Sequence, residues 1–208
     1  MDRKKFLQKL GLGMLAGGTL ANANACKTEP VVTPGEDCLL TGEDILGPYF
    51  VSGTAEVVNL NTQNLAGTPM MVSGKVYGGE EKDTPLANVR IDIWHADDNG
   101  AYHPEGSGDV SDYDSSEITL RGFVITEADG SYAFSSIVPG LYGSRARHIH
   151  FRLEVEGYKT LVTQTYFAGD NRISRDTWAS EAGDCRIIEF SSVNGVDTGI
   201  MDFNLGPA

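Results

Sequence analysis

Residues 145–155 read RARHIHFRLEV, and the alternation inside that stretch decides how the chain is read. In a β-strand, residues i and i+2 share a face while i+1 points the other way. Ile149, Phe151, Leu153 and Val155 therefore make one apolar face, suited to a core. His148, His150, Arg152 and Glu154 make the opposite face. The two imidazoles point away from the core and lie close enough to bind one ion. Neutral imidazole is the commonest metal ligand, so His-x-His on a strand is half of a metal site. Two histidines do not close such a site, and no carboxylate lies between Ile137 and Arg152. A tyrosine does: Tyr142, in VPGLYGSRARHIH, is six residues before His148 and within reach from a neighbouring loop.

Working outward, further strand-like runs are read at residues 71–77, 89–94, 120–126, 132–137, 148–155, 160–167, 186–190 and 199–205, with turn signals at Asp98-Asn99-Gly100, Asp129-Gly130 and Pro139-Gly140. About eight strands without convincing helices predict an all-β fold, a β-sandwich of immunoglobulin- or transthyretin-like architecture with the site carried on loops. No second domain is visible. The segment DNGAY (98–102) echoes ADGSY (128–132), a tight turn followed by a tyrosine. Such a tyrosine ordinarily packs the start of a strand, so Tyr102 needs more than this echo to claim a chemical role.

The chain has 208 residues, of which 40% are hydrophobic, enough for one packed core. Residues 1–25 read as an export signal: a basic front (Arg3, Lys4, Lys5, Lys9), then an apolar run from Leu10 to Ala21 that is too short to span a bilayer. Cys26 directly after Ala25 matches the acylation site of bacterial lipoproteins, although Ala23 stands where that signal prefers leucine. Plain secretory cleavage is the alternative. Both place the mature protein outside the cytoplasm, periplasmic or at the cell surface, touching membrane only through a lipid on Cys26. Residues 26–38 form a polar linker with two prolines, and 39–208 form the domain. The formal charge is −13, and removing residues 1–25, which carry +3, leaves −16. That excess argues against nucleic acid as a partner. With Cys26 assigned to lipid, Cys38 and Cys185 are either a disulfide or two free thiols.

Four ordered stretches together are similar to the intradiol ring-cleavage dioxygenases, the family of protocatechuate 3,4-dioxygenase and catechol 1,2-dioxygenase: LTGEDILGPYF, VRIDIWHADDNGAYH, LRGFVITEADGSYAFSSIVPGLYGSRARHIHF and TLVTQTYFAGD. They span roughly residues 39–170. The resemblance implies one non-haem Fe(III) held by Tyr102, Tyr142, His148 and His150. It also implies that Arg145 and Gln164 face the substrate, that Tyr49 lines the pocket, and that Tyr142 is the ligand displaced when a catechol binds. The implied partners are a small aromatic diol and O2, and the implied product is a cis,cis-muconate-type diacid. The helical N-terminal extension that resembles the dimerisation region of catechol 1,2-dioxygenases is not found in the sequence, and a homo-oligomer stays open. Ferric iron favours anionic oxygen donors, and phenolates supply them.

The other positions have ordinary readings. Trp94 and His95 support the end of a strand, His103 is a candidate for the pocket rim, and Arg147 pairs with a surface carboxylate. DDNG is a turn and not a calcium loop. A rival function is a non-catalytic transthyretin-like or carboxypeptidase-regulatory-like surface binding module, which resembles GFVITEADGSYAFSSIVPGLY. It gives no reason for the coexistence of Tyr102, Tyr142, His148, His150, Arg145 and Gln164. Zinc or copper at the histidines alone would leave the tyrosines unexplained.

Overall fold

The computed structural model of the chain describes residues 39–79 and 82–208. Among them are thirteen strands: β1 (Val51–Ser52), β2 (Pro69–Gly78), β3 (Thr84–Pro85), β4 (Arg90–Trp94), β5 (Gly108–Asp109), β6 (Arg121–Ile125), β7 (Ser131–Ile137), β8 (His148–Glu154), β9 (Leu161–Phe167), β10 (Ile187–Ile188), β11 (Phe190–Val193), β12 (Val196–Ile200) and β13 (Phe203–Leu205). They form a five-stranded sheet, β10-β9-β8-β4-β6, and a six-stranded sheet centred on β2, with a small β1-β5 pair beside them. The fold is the expected all-β sandwich.

The core follows from the alternation. Ile149, Phe151 and Leu153 of β8 are fully buried, beside Ile91 and Ile93 of β4. They meet Val72 and Val76 of β2, Phe134 of β7 and Phe203 of β13 from the other sheet. Each such side chain contributes roughly 1.5–3 kcal/mol on burial, so this face fixes which way β8 is turned. A slip by one residue would put the histidines in the core and the phenylalanine outside.

Two expected strands are divided in space. The run 186–190 changes sheet at Glu189: β10 lies parallel to β9, whereas β11 pairs with β12 in the other sheet. Arg186, expected in this run, instead closes a 3-10 turn over Asp184–Arg186, and no turn residue marks the change at Glu189 itself. The run 199–205 pauses at residues 201–202, where the Asp202 carboxylate accepts the Lys75 N–H at 2.8 Å. The register with β2 continues on either side, Ile200 opposite Ser73 and Phe203 opposite Val76.

Candidate metal centre

Register assembles the site on the outer face of the five-stranded sheet. Trp94 of β4 lies opposite Arg121 of β6 on one side and opposite His150 of β8 on the other, and His150 lies opposite Gln164 of β9. Directly opposed residues share a face, so Arg121, Trp94, His150 and Gln164 form one row across four strands. His148 lies opposite Tyr166 one repeat further along. The outer face of a sandwich usually meets water, but here loops cover it, and His148 and His150 are only 4% and 3% exposed. Gly47 makes the cover close: a Cβ there would sit 3.1 Å from Cε1 of His150.

The donors meet at Tyr102. Its hydroxyl lies 3.1 Å from Nε2 of His148 and 3.0 Å from Nε2 of His150. Nδ1 of His148 donates to the carbonyl of Ala146 at 2.6 Å, which leaves Nε2 as a lone pair aimed at the phenol. The His150 ring is stacked on Trp94, with centroids 4.8 Å apart and planes 9° apart. Its Nδ1 is buried without a partner among the described residues. Burial lowers the pKa of His148 to about 4 and holds that of His150 well below its ordinary value, so both are neutral at physiological pH. Burial also holds the Tyr102 phenol well above its ordinary value, against the opposing pull of Arg145.

Two turns bring the tyrosines together. Asp97 to Ala101 closes a tight turn in which the Asp97 carboxylate accepts from the N–H groups of Asn99 and Ala101, each at 2.9 Å. Gly140 donates its N–H to the Asp97 carbonyl at 2.7 Å. The contact needs glycine on both sides: a Cβ on Gly100 would lie 2.3 Å from the Leu141 oxygen, and one on Gly140 would lie 2.2 Å from the Asp98 oxygen. The rings of Tyr102 and Tyr142 consequently meet edge to face, with centroids 5.5 Å apart. Tyr49 stacks on Tyr102 at 4.2 Å, and its hydroxyl is 2.7 Å from that of Tyr142. The bond to Tyr142, aided by burial, pushes the Tyr49 phenol up to about 12. The echoed Tyr132 does what such a tyrosine ordinarily does: it is buried in the core and donates to the Met201 carbonyl.

Arg145 and Gln164 are joined. Arg145 donates through Nη2 to Oε1 of Gln164 at 2.9 Å and through Nε to Asp176 at 2.7 Å. Gln164 in turn donates to the Ile45 carbonyl. Thus Tyr49, Tyr102, Tyr142, Arg145, His148, His150 and Gln164 all belong to one neighbourhood. His95 does not join it, since its two ring nitrogens are taken by the Ala96 carbonyl and the Ser136 hydroxyl, each at 2.7 Å. His103 bonds Asp97 at 3.0 Å. Arg147 departs from expectation: it has no ion pair among the described residues, and its guanidinium lies over the Phe167 ring at 5.8 Å.

Residues of structural weight went unread in the sequence. Arg121 is buried and donates to three carbonyls, those of Tyr49, His103 and Pro104. It ties the cover loop to the Tyr102 loop. A charged residue inside an otherwise apolar strand was the available signal. Asp44 accepts from Tyr166 at 2.8 Å and pairs with buried Arg186. Asp176 lies in a polar loop with no sequence signal at all. Cys185 is disulfide-bonded, whereas Cys26, Cys38, the export signal and the linker lie outside the described residues.

The donor set itself tests the fit of a metal. Among the described residues no cluster of three or more His, Cys, Asp or Glu is placed to hold an ion. An ion here would use imidazole nitrogen and phenol oxygen. Two neutral imidazoles and phenols that become anionic suit a hard, highly charged cation. One phenolic proton on Tyr102 for two facing nitrogens is what such a cation would displace.

Comparison with known proteins gives the family. Residues 45–205 match the family model described as a dioxygenase, and the chain belongs to the intradiol ring-cleavage dioxygenase family. A hydroxyquinol 1,2-dioxygenase of Nocardioides simplex is 31% identical over 157 residues, covering 66% of this chain and 50% of that protein. Catechol 1,2-dioxygenase 2 of Acinetobacter lwoffii is 31% identical over 62% of this chain and 52% of its own. The chain thus spans about half the length of these curated relatives. The crystal structure of the dioxygenase domain of a dioxygenase–carbohydrate-binding fusion from Streptomyces sp. SirexAA-E is 34% identical, with a TM-score of 0.68, over 81% of this chain and 99% of that one.

Proposed function

We propose that this protein is a non-haem Fe(III) dioxygenase that chelates a catechol-type diol and cleaves the ring between the two hydroxylated carbons. Both atoms of O2 end in the two new carboxyl groups of a cis,cis-muconate-type diacid. The observation that carries the reading is the Tyr102 hydroxyl within 3.1 Å of both histidine Nε2 atoms, with the Tyr142 ring against it. His148 and His150 would hold the ion through Nε2, and Tyr102 and Tyr142 through their oxygens. Bound Fe(III) supplies Lewis acidity and electron transfer between diol and O2.

The remaining chemistry belongs to the chain. Two phenolates offset two of the three charges, so little net charge is buried in low dielectric. Tyr142 is the more accessible of the two, hydrogen-bonded to Tyr49 and next to open space at Gly143. Of the two diol protons, one would go to the Tyr142 oxygen and the other to water, and Tyr49 is placed to hydrogen-bond the resulting Tyr142 hydroxyl. Arg145, already fixed by Asp176 and Gln164, stabilises negative charge developing on the diol. Tyr49 and Gln164 wall the substrate. The names of the relatives, which include hydroxyquinol and catechol dioxygenases, support an ortho-diol substrate. A surface binding module has no use for this buried donor set.

Export belongs to the same proposal. Residues 1–25 act as a signal and Cys26 carries a lipid. Mass spectrometry of the mature N-terminus reads this directly. The decisive test of function adds ferric iron to purified protein. A tyrosinate-to-iron absorption band should appear, shift in Tyr142→Phe, and accompany O2 uptake and diacid formation with catechol, protocatechuate or hydroxyquinol. Iron-loaded protein with no such band would end the proposal.

A further inference from the structure

Arg145 hangs on the segment after β9. Asp176 accepts from Nε of Arg145 and from the N–H of Ala146, both at 2.7 Å. Its other oxygen accepts from the N–H groups of Trp178 and Ala179, at 2.9 and 3.1 Å. All four bonds go to one carboxylate whose side chain is fully buried. The same segment grips the loop twice more. Arg172 donates to the carbonyls of Gly143 and Arg145, and Asp170 accepts the N–H of Arg147 at 2.7 Å. These bonds bracket the loop that delivers Tyr142, Arg145 and His148.

We propose that Asp176 is the positioning residue for Arg145, the centre of a clamp that residues 170–179 place on the loop from 143 to 147. The proposal deepens the functional reading above and rests on it for the role of Arg145. An unrestrained arginine samples many rotamers, and Arg145 is a partly exposed side chain beside the proposed cation site. Asp176 removes that freedom at Nε and Gln164 at Nη2. Nη1 is left without a partner among the described residues, free for the diol. Charge is balanced as well: Arg145 and Arg186 are matched by Asp176 and Asp44, which Tyr166 links, so the cation is fixed without being spent on a surface counter-ion. Asparagine keeps the shape of Asp176 but offers one acceptor oxygen, so it must abandon either the arginine or the two N–H groups of the following turn.

The test compares the full chain with Asp176→Asn, Arg145→Ala and the double variant. After iron loading, Asp176→Asn should lose about tenfold to a hundredfold in kcat with KM less affected. The tyrosinate-to-iron band should stay unchanged, because the ligands are not touched. Since Asp176 acts through Arg145, the double variant should be no worse than Arg145→Ala alone. Losses that multiply, or full activity in Asp176→Asn, overturn the proposal. A second measurement uses metal-free protein. The Arg145 Nε–H NMR signal, identified by its disappearance in Arg145→Ala, should exchange slowly with water in the wild type and quickly in Asp176→Asn. Fast exchange in the wild type overturns the clamp even if the asparagine variant does not fold. Should the wild type cleave no diol while this signal is protected, the functional reading has failed and the clamp has not.

Discussion

Tyr102 carries one proton and faces two imidazole nitrogens, and the proposed metal chemistry turns on that imbalance. Tyr102→Phe removes one buried hydroxyl and leaves the rings in place. The fold should survive with a loss of about 1–2 kcal/mol, while iron retained per chain should fall by more than roughly tenfold. Thermal melts and metal analysis of the same sample separate the two effects, and a variant that holds iron like the wild type would remove Tyr102 from the ligand set. Arg121 makes a second residue-level case. Its guanidinium serves three carbonyls in three directions, and burial lowers its pKa to about 10. A lysine cannot reproduce that fork. Arg121→Lys should therefore destabilise by about 2–4 kcal/mol, measured by urea unfolding, and an unchanged midpoint would show that the three bonds contribute nothing net.

At the scale of elements, the two tyrosine-bearing turns meet backbone to backbone at glycines beneath the edge-to-face contact of their rings. Gly140→Ala places a Cβ 2.2 Å from the Asp98 oxygen, and no flexible side chain is there to yield. The turns must separate, at about 1–3 kcal/mol, and Tyr142 must leave Tyr102. The iron absorption band should be lost or strongly shifted. Gly143→Ala is the control: its φ is +53° with nothing within 4 Å, so it costs about 1–2 kcal/mol of strain and should leave the band alone. The two glycines flanking Tyr142 thus differ in kind, one a close approach and the other at open space. Equal effects from both would contradict the zipped turns.

For the molecule as a whole, three buried imidazoles make stability depend on pH. Burial lowers His95 and His148 to about 4, and His150 below its ordinary value. The unfolded chain takes up these protons near pH 6.5, while in the folded chain His95 and His148 refuse them until about pH 4 and His150 stays neutral well below 6.5. Stability is therefore complete above pH 6.5 and is lost as pH falls from 6.5 to 4. Each group contributes a slope of up to about 1.4 kcal/mol per pH unit. His95→Gln keeps a neutral partner for Ser136 and should flatten the slope by one proton's share. Urea midpoints of metal-free protein between pH 4.5 and 7.5 decide this, and parallel profiles for the two proteins would refute it.

Local pattern was enough to establish the longer strands, the sandwich and the face on which His148 and His150 lie, because alternation and turn residues act over a few positions, whereas the two-residue strands β1, β3 and β5 carry too short a pattern to read. Ordered motifs carried the family and with it Tyr102, Tyr142, Arg145 and Gln164. The change of sheet at Glu189 and the pause at Asp202 were illegible, since both occur inside strand-like runs and depend on what the chain pairs with there. Burial of the histidines, the four-strand row from Arg121 to Gln164, the glycine contact between turns and the hold of Asp176 on Arg145 join positions distant along the chain. Hydrogen bonds of that kind depend on which strands become neighbours and in what register, and no short stretch of residues encodes its own partner.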